Sequence, residues 1–220
     1  MVVPCRFHVS QEMLYNCMAS VANGAGQRPS RRLDPVEVLI KLKMCDKNEY
    51  EHFTGKVRLK HSPKPCFRVC IIGGEQDIQE AVANQLDFLD LPTLKEIGKD
   101  PAVARVLAKK YDAFLVSRPL LSQFNAHLGY AVVGEHKVPI GLSPNQPMMA
   151  KIKEVENTTK IRMKHKKLVV AVGHVNMPPE HLVDNVNRVM AHLKRLLKEN
   201  PKDVHTFHIK SRSGPTVKLC

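Results

Sequence analysis

Three short basic turns hold the residues best equipped for chemistry in this chain: Arg31-Arg32, Lys164-His165-Lys166-Lys167 and Ser211-Arg212-Ser213-Gly214-Pro215. Their chemistry is anion binding rather than bond making. Lysine offers a phosphate a compact positive charge, and arginine offers a planar fork that grips two oxygens at once. Serine beside glycine lets a backbone N–H approach a sugar or phosphate closely. One such turn alone reads as a solvated loop. Three of them, at strand ends of one basic domain, read as a polyanion-binding surface, and they are expected to gather at one edge of a sheet.

Other candidates are weaker. Gly73-Gly74 follows an apolar run and could open a phosphate-binding turn, but it lacks the spacing of a dinucleotide fingerprint or a P-loop. A tight strand-to-helix turn that needs glycine is the plainer reading. No Ser, Cys or His stands at the spacing of a nucleophile–base pair. The six cysteines include no Cys-x-x-Cys pair, which argues against a structural zinc site and for a reduced, cytosolic protein. Cys66 and Cys70, four apart on an apolar run, are expected to share one strand face as small buried thiols. Among the eleven histidines, His205 and His208 are the one close pair in a strand, and a spacing of three turns them to opposite faces. No cofactor and no metal is therefore expected. An RNA-modifying or nucleotide-dependent enzyme, using Gly73-Gly74 in the central domain, is the alternative function.

Charge shows where such turns belong. The net charge is +13 and the pI is 9.6. Residues 1–65 carry a net +5, residues 66–155 carry zero and residues 156–220 carry +8. A neutral segment is thus bracketed by two basic arms. The simplest arrangement is one basic domain built from both chain ends, with a neutral domain inserted. Unbalanced charge of that size in one body repels itself and calls for a polyanion partner. A basic surface serving solubility alone is the bland alternative. No window of 18 apolar residues spans a bilayer, so no membrane partner is expected, and Met1 to Ser10 lacks the pattern of a secretory signal.

The elements that must position these turns follow from periodicity. Leu14, Met18 and Val21 recur at helical spacing over Gln11 to Asn23, with Ser10 as N-cap. Val36, Val38, Ile40 and Leu42 alternate with charged residues as a half-buried strand, and Lys56 to Lys60 alternates again until Ser62-Pro63-Lys64-Pro65 breaks it. In the middle, apolar runs at Phe67 to Ile72 and Ala113 to Val116 alternate with helical patterns at Ile78 to Leu86, Pro101 to Lys110, Pro119 to His127 and Asn145 to Asn157. That alternation predicts a small parallel sheet with helical cover. Thr159 to Met163 and Leu168 to Val175 return to strands, Pro178-Pro179 opens a helix with Leu182, Val186, Val189, Leu193 and Leu196 on its apolar stripe, and Val204 to Lys210 is a last strand. The expected fold is therefore α/β and α+β in two domains: 1–64 plus 158–220 as a split α+β sheet with one face open, and 65–157 as the inserted α/β domain. The hinge falls near Pro63-Lys64-Pro65 and Asn157-Thr158.

Several stretches also carry a likeness. Gly55-Lys56-Val57-Arg58-Leu59 with Pro63-Lys64-Pro65, then Ala108-Lys109-Lys110-Tyr111-Asp112-Ala113-Phe114-Leu115, and Val170-Ala171-Val172-Gly173-His174-Val175 before a long helix, resemble the L-one family of large-subunit ribosomal proteins, in its eukaryotic and archaeal L-ten-a branch. The resemblance runs from about Leu14 to Gly214. It implies a split α+β domain that binds rRNA of the mobile stalk, an inserted Rossmann-like three-layer α/β/α domain, and a cytoplasmic, ribosomal location. It implies partners as well: stalk rRNA, exit-site tRNA whose release the stalk assists, and other ribosomal components. Carried over by motif, the RNA grip falls on Arg32, Leu33, Asp34 and Val36, on Lys164, His165, Lys166 and Lys167, on His174, and on Ser211, Arg212, Ser213 and Gly214.

This chain departs from the family at three places. Leu33 stands where phenylalanine is usual, and Arg212-Ser213-Gly214 stands for Thr-Met-Gly, which replaces a packing contact by a charged one. A loop of the inserted domain keeps only the frame of Gly129, Gly134, Lys137 and Pro139.

Overall fold

Apolar residues at every second position build the larger sheet. The computed structural model describes residues 12, 14–16, 34–42, 55–135, 137–143, 146–164, 167–196, 204–211 and 216–218, with backbone alone at 42, 163–164, 196 and 204–205. The chain divides into a terminal unit, Met1–Pro65 with Glu156–Cys220, and an inserted unit, Cys66–Val155. Strands and helices are numbered along the chain.

The terminal unit contains β1 (Pro35–Leu42), β2 (Lys56–Arg58), β7 (Thr158–Lys164), β8 (Lys167–His174), β9 (Val204–Ser211) and β10 (Thr216–Lys218). They form an antiparallel sheet in the order β10-β9-β1-β8-β7-β2. Val36, Val38 and Ile40 of β1 are fully buried, with Leu168, Val170, Phe207 and Ile209 from the flanking strands. Helix α6 (Pro179–Leu196) covers this face with Leu182, Val183, Val186, Val189 and Leu193. Each such side chain stabilises the unit by about 1.5–3 kcal/mol relative to exposure. Leu14 adds to the same core. Most of the helix expected over Gln11 to Asn23 lies outside the described residues, as does the Asn200-Pro201 stop after α6. β10, with three residues, is too short to show an alternation in the sequence.

β8 carries a bulge. Val36 pairs with Gly173 but Glu37 pairs with Ala171, so Val172 has no partner in the β1 register. Both Val172 and Gly173 are consequently buried. A Cβ on Gly173 would stand 2.5 Å from Leu182 Cδ2 and 2.8 Å from Met177 Sδ, so glycine is what lets α6 approach the sheet.

The inserted unit holds β3 (Val69–Ile72), β4 (Asp87–Leu89), β5 (Ala113–Ser117) and β6 (Ile140–Leu142) in a parallel sheet of order β4-β3-β5-β6. All four residues of β3 are buried, as a doubly covered parallel strand requires. Alternate residues face different helices. Cys70, Ile72, Phe114 and Val116 pack with α2 (Leu91–Lys99), α3 (Pro101–Lys110) and α4 (Leu121–Gly134). Val69, Ile71 and Leu115 pack with Ala81 of α1 (Glu75–Ala83) and with Met148 and Ile152 of α5 (Met148–Glu156). The unit is a three-layer α/β/α body.

Three expectations need correction here. Helix α4 extends beyond His127 to Gly134, because Leu128, Ala131 and Val132 continue its buried stripe. Cys66 does not share a strand face with Cys70: β3 starts only at Val69, and Cys66 is exposed with φ 54°. Val82 lies on the outer side of α1 and is 56% exposed, so it is not a core position.

Candidate nucleic-acid interface

The register of β1 sorts the anticipated RNA-binding residues into two groups. At the start of β1, Pro35 faces His174 and Val36 faces both Gly173 and Ser211, while Asp34 O accepts a hydrogen bond from Val175 N at 3.1 Å. Asp34, Val36, His174 and Ser211 therefore meet at one end of the sheet. Arg32 and Leu33 precede that end in sequence, and Arg212, Ser213 and Gly214 follow it; all five lie outside the described residues. Lys164 and Lys167 pair with each other where β7 turns into β8, beside Lys41 at the far end of β1. His165 and Lys166 of that turn are outside the described residues. Six residues separate Pro35 from Lys41, about 20 Å of strand. Lys164 and Lys167 thus lie at the opposite end of β1 from Asp34, His174 and Ser211, and the rest of the three basic turns lies outside the described residues.

Burial revises individual roles. Val36 is fully buried in the core, so it fixes the strand and offers RNA no side chain. Ser211 is fully buried and Asp34 is 9% exposed; each already has a partner within the protein. These two shape the sheet end rather than present it. His174 is half-buried, and its buried Nδ1 has no hydrogen-bond partner. Burial pushes its pKa below the usual histidine value, so the ring stays neutral and reaches a ligand by hydrogen bonding rather than by charge.

The open face of the sheet is the larger find. Residues alternating with the buried set are Lys56 and Arg58 on β2, Lys160 and Arg162 on β7, Lys167 on β8, Lys41 on β1, His208 and Lys210 on β9, and Lys218 on β10. Their mutual repulsion adds to burial in lowering the pKa of two of these groups. His208 is pushed down by burial and then by Lys218, Lys167 and Lys41. Lys160 is pushed down by burial and then by Lys56 and Arg162. The alternation in β1 announced an open face, but the sequence alone did not say which strands would lie side by side and pool their lysines.

The inserted unit offers less. Gly74 N donates to Asp77 Oδ2 at 3.2 Å, so a carboxylate already sits on the helix end where a nucleotide phosphate would have to bind. A Cβ on Gly73 would lie 2.3 Å from Asp77 Cβ, which makes this glycine a packing requirement. Burial pushes the Cys70 thiol up to about 12, an unreactive group at neutral pH. Of the frame expected as a loop, Gly129 and Gly134 belong to helix α4 instead, and Lys137 just beyond it turns inward. Its Nζ donates to Ala108 O at 2.5 Å and to Tyr111 O at 2.6 Å, closing the C-terminal end of α3.

Comparison with known proteins settles the ancestry of this fold. The model of the ribosomal protein L1p/L10e family matches residues 18–215. The chain belongs to that family. It is 40% identical over 212 residues to large ribosomal subunit protein uL1 of Drosophila melanogaster, covering 96% of this chain and 98% of that protein. It is 38% identical over 212 residues to the protein of the same name from Spodoptera frugiperda, with the same coverage. The Caenorhabditis elegans protein of that name is 34% identical over 207 residues, covering 94% of this chain and 96% of its own length. The L1p/L10e family is one of structural ribosomal proteins, and the mixed α/β architecture of two sheets, one parallel and one antiparallel, accords with it.

Proposed function

We propose that this ribosomal protein is a structural constituent of the large subunit whose terminal unit grips rRNA of the mobile stalk, and that it helps deacylated tRNA leave the exit site. The observation that carries the reading is the division of charge: the terminal unit holds the whole net +13, and Cys66–Val155 holds none. One grip is assigned to Arg32, Leu33, Arg212, Ser213 and Gly214, the neighbours in sequence of the sheet end framed by Asp34, Val36, His174 and Ser211. The other is the Lys164-His165-Lys166-Lys167 turn. Capture is electrostatic and recognition is by shape, with no bond-making step. Rigid-body motion of the inserted unit about the Pro63-Lys64-Pro65 and Asn157-Thr158 crossings would let the stalk follow the tRNA.

Sedimentation of cell lysate tests the reading. The chain should comigrate with large subunits after a high-salt wash. The purified chain should bind a stalk rRNA fragment, with affinity falling by about 0.7–0.9 log units per phosphate contact per decade of salt. Failure to sediment with large subunits, or a flat salt response, refutes it.

A further inference from the structure

Cations on the open face of the terminal sheet stand in two outer rails, and the strands between them carry Lys41 and Lys167 at one end, apolar side chains in the middle, and Glu37 opposite Lys210 and Ala171. Lys56 and Arg58 on β2 and Lys160 and Arg162 on β7 form one rail; all four are exposed, and Lys56 faces Lys160 in register. Lys210 on β9 and Lys218 on β10 form the other, with His208 opposite Lys218 and Thr216 opposite Lys210. Between them, half-buried Leu39 faces Val169, and Ala171 lies one step along the same face. Glu37 is the one acid at the described positions of this face. β7, β8, β1, β9 and β10 are consecutive neighbours. At about 4.8 Å per strand spacing the rails are therefore roughly 15–20 Å apart.

We propose that this face is a second RNA-contact surface, which takes a double helix by its two phosphate backbones while the middle of the sheet lies against the groove between them. The proposal rests on the reading that the terminal unit binds RNA, and it adds a surface apart from the sheet end and the β7–β8 turn. Single-stranded RNA is the poorer fit. A sheet that reads unpaired bases stacks them on several aromatic rings, and the described positions of this face carry no Phe, Tyr or Trp and a single imidazole, the half-buried His208. Two separated rails match two backbones, whereas a single strand follows one line of charge. The wide, shallow minor groove of A-form RNA exposes its 2′-hydroxyls to a flat surface, and Thr216 on β10, with Thr206 on β9 at 3.0 Å from His208 Nε2, adds hydroxyls along the Lys210–Lys218 rail. B-form DNA presents a narrower, deeper minor groove that a flat sheet cannot enter.

The test uses the full chain and a blunt RNA duplex of arbitrary sequence, about 16 base pairs long, the span that a shape-reading module covers. Fluorescence anisotropy is recorded across salt for the unaltered chain, for Lys56→Ala with Arg162→Ala, and for Lys210→Ala with Lys218→Ala. Lys56, Arg162 and Lys218 are exposed and Lys210 is half-buried, and circular dichroism checks that each variant folds. Each pair should weaken duplex binding roughly tenfold and reduce the salt slope by about two, one for each lost phosphate contact. A second readout is the His208 ring. This imidazole is depressed by burial and then by Lys218, Lys167 and Lys41; phosphate on those lysines removes the second cause, so its NMR titration should move upward when duplex is added. Unchanged slopes in both variants overturn the proposal. So does equal binding of a DNA duplex, or of single-stranded RNA, with the same losses. If a stalk rRNA fragment still binds while duplex binding ignores the rails, only this inference falls. If the chain binds neither RNA, the reading beneath it falls too.

Discussion

Asn185 should be the polar residue whose loss the terminal unit feels most. It is fully buried on α6. Its Oδ1 accepts from Lys60 N at 3.1 Å and His61 N at 3.0 Å, and its Nδ2 donates to His61 O at 3.0 Å and Val172 O at 2.8 Å. Val172 is the residue that the β8 bulge leaves without a partner in the β1 register, so Asn185 supplies what the bulge takes away. The Lys60–His61 segment is where the chain leaves β2 for the insertion. Asn185→Leu removes all four hydrogen bonds at similar volume. Val172 is buried, so its orphaned carbonyl costs about 1–3 kcal/mol, while the groups at positions 60 and 61 can regain water in part. The sum is about 2–4 kcal/mol, or a Tm lower by roughly 5–15 °C. Asn185→Asp keeps both accepted bonds and still destabilises, since a charged oxygen then faces two carbonyls. Urea unfolding measures the loss, and amide exchange at His61 should accelerate with it. A loss under about 0.5 kcal/mol would refute this account of how the segment is held.

Other substitutions separate packing from binding. Gly73→Ala should destabilise the inserted unit by about 1–3 kcal/mol in thermal melts, because the added methyl collides with Asp77. Lys137→Met should cost about 1–3 kcal/mol of stability through the lost α3 cap and leave affinity for stalk rRNA unchanged; a drop in affinity would make Lys137 an RNA contact instead. Arg212→Ala should weaken rRNA binding by about 1–3 kcal/mol, and an unchanged dissociation constant would remove Arg212 from the interface. Stability should fall as pH drops from 6.5 toward the lower folded-state values of His174, His192 and His208, because in that window the unfolded chain binds more protons. The depressed carboxyls of Asp90 and Asp184 lose their contribution only below their ordinary 3.8, in a separate window. Melting curves between about pH 7.5 and pH 5.5 check the histidine effect, and a flat Tm would contradict it.

Long, periodic segments were legible in the sequence, and short ones were not. β1, β8 and α6 each repeat a pattern over eight residues or more, so their buried faces could be assigned residue by residue. β4, β6 and β10 have three residues each, too few for any period. Helix α2 was readable in principle, since Asp90 followed by Leu91-Pro92 is the same N-cap and proline signal as Asp100-Pro101 before α3. Its nine residues and internal Gly98 concealed it. At the candidate interface, residue types pointed to the right chemistry while sequence distance misled on geometry. Lys167 and Ser211 belong to two similar basic stretches, yet only strand pairing shows that these two residues sit at opposite ends of β1. Val36 and Ser211 were singled out by resemblance; the alternation along β1 already turns Val36 inward, whereas the burial of Ser211 is visible only in the folded sheet.

The pairing of β2 with β7 bears on how the molecule comes to be folded. Arg58 lies against Thr158, and Leu59 N donates to Asn157 O at 2.8 Å, across the entire insertion. Joining such distant partners in a limp chain is entropically steep, and slow for the same reason. The inserted unit, whose strands and helices alternate locally, can organise first and so shorten that search. An element with no net charge of its own would then serve as the clasp that brings two mutually repelling arms together before any nucleic acid is there to reconcile them.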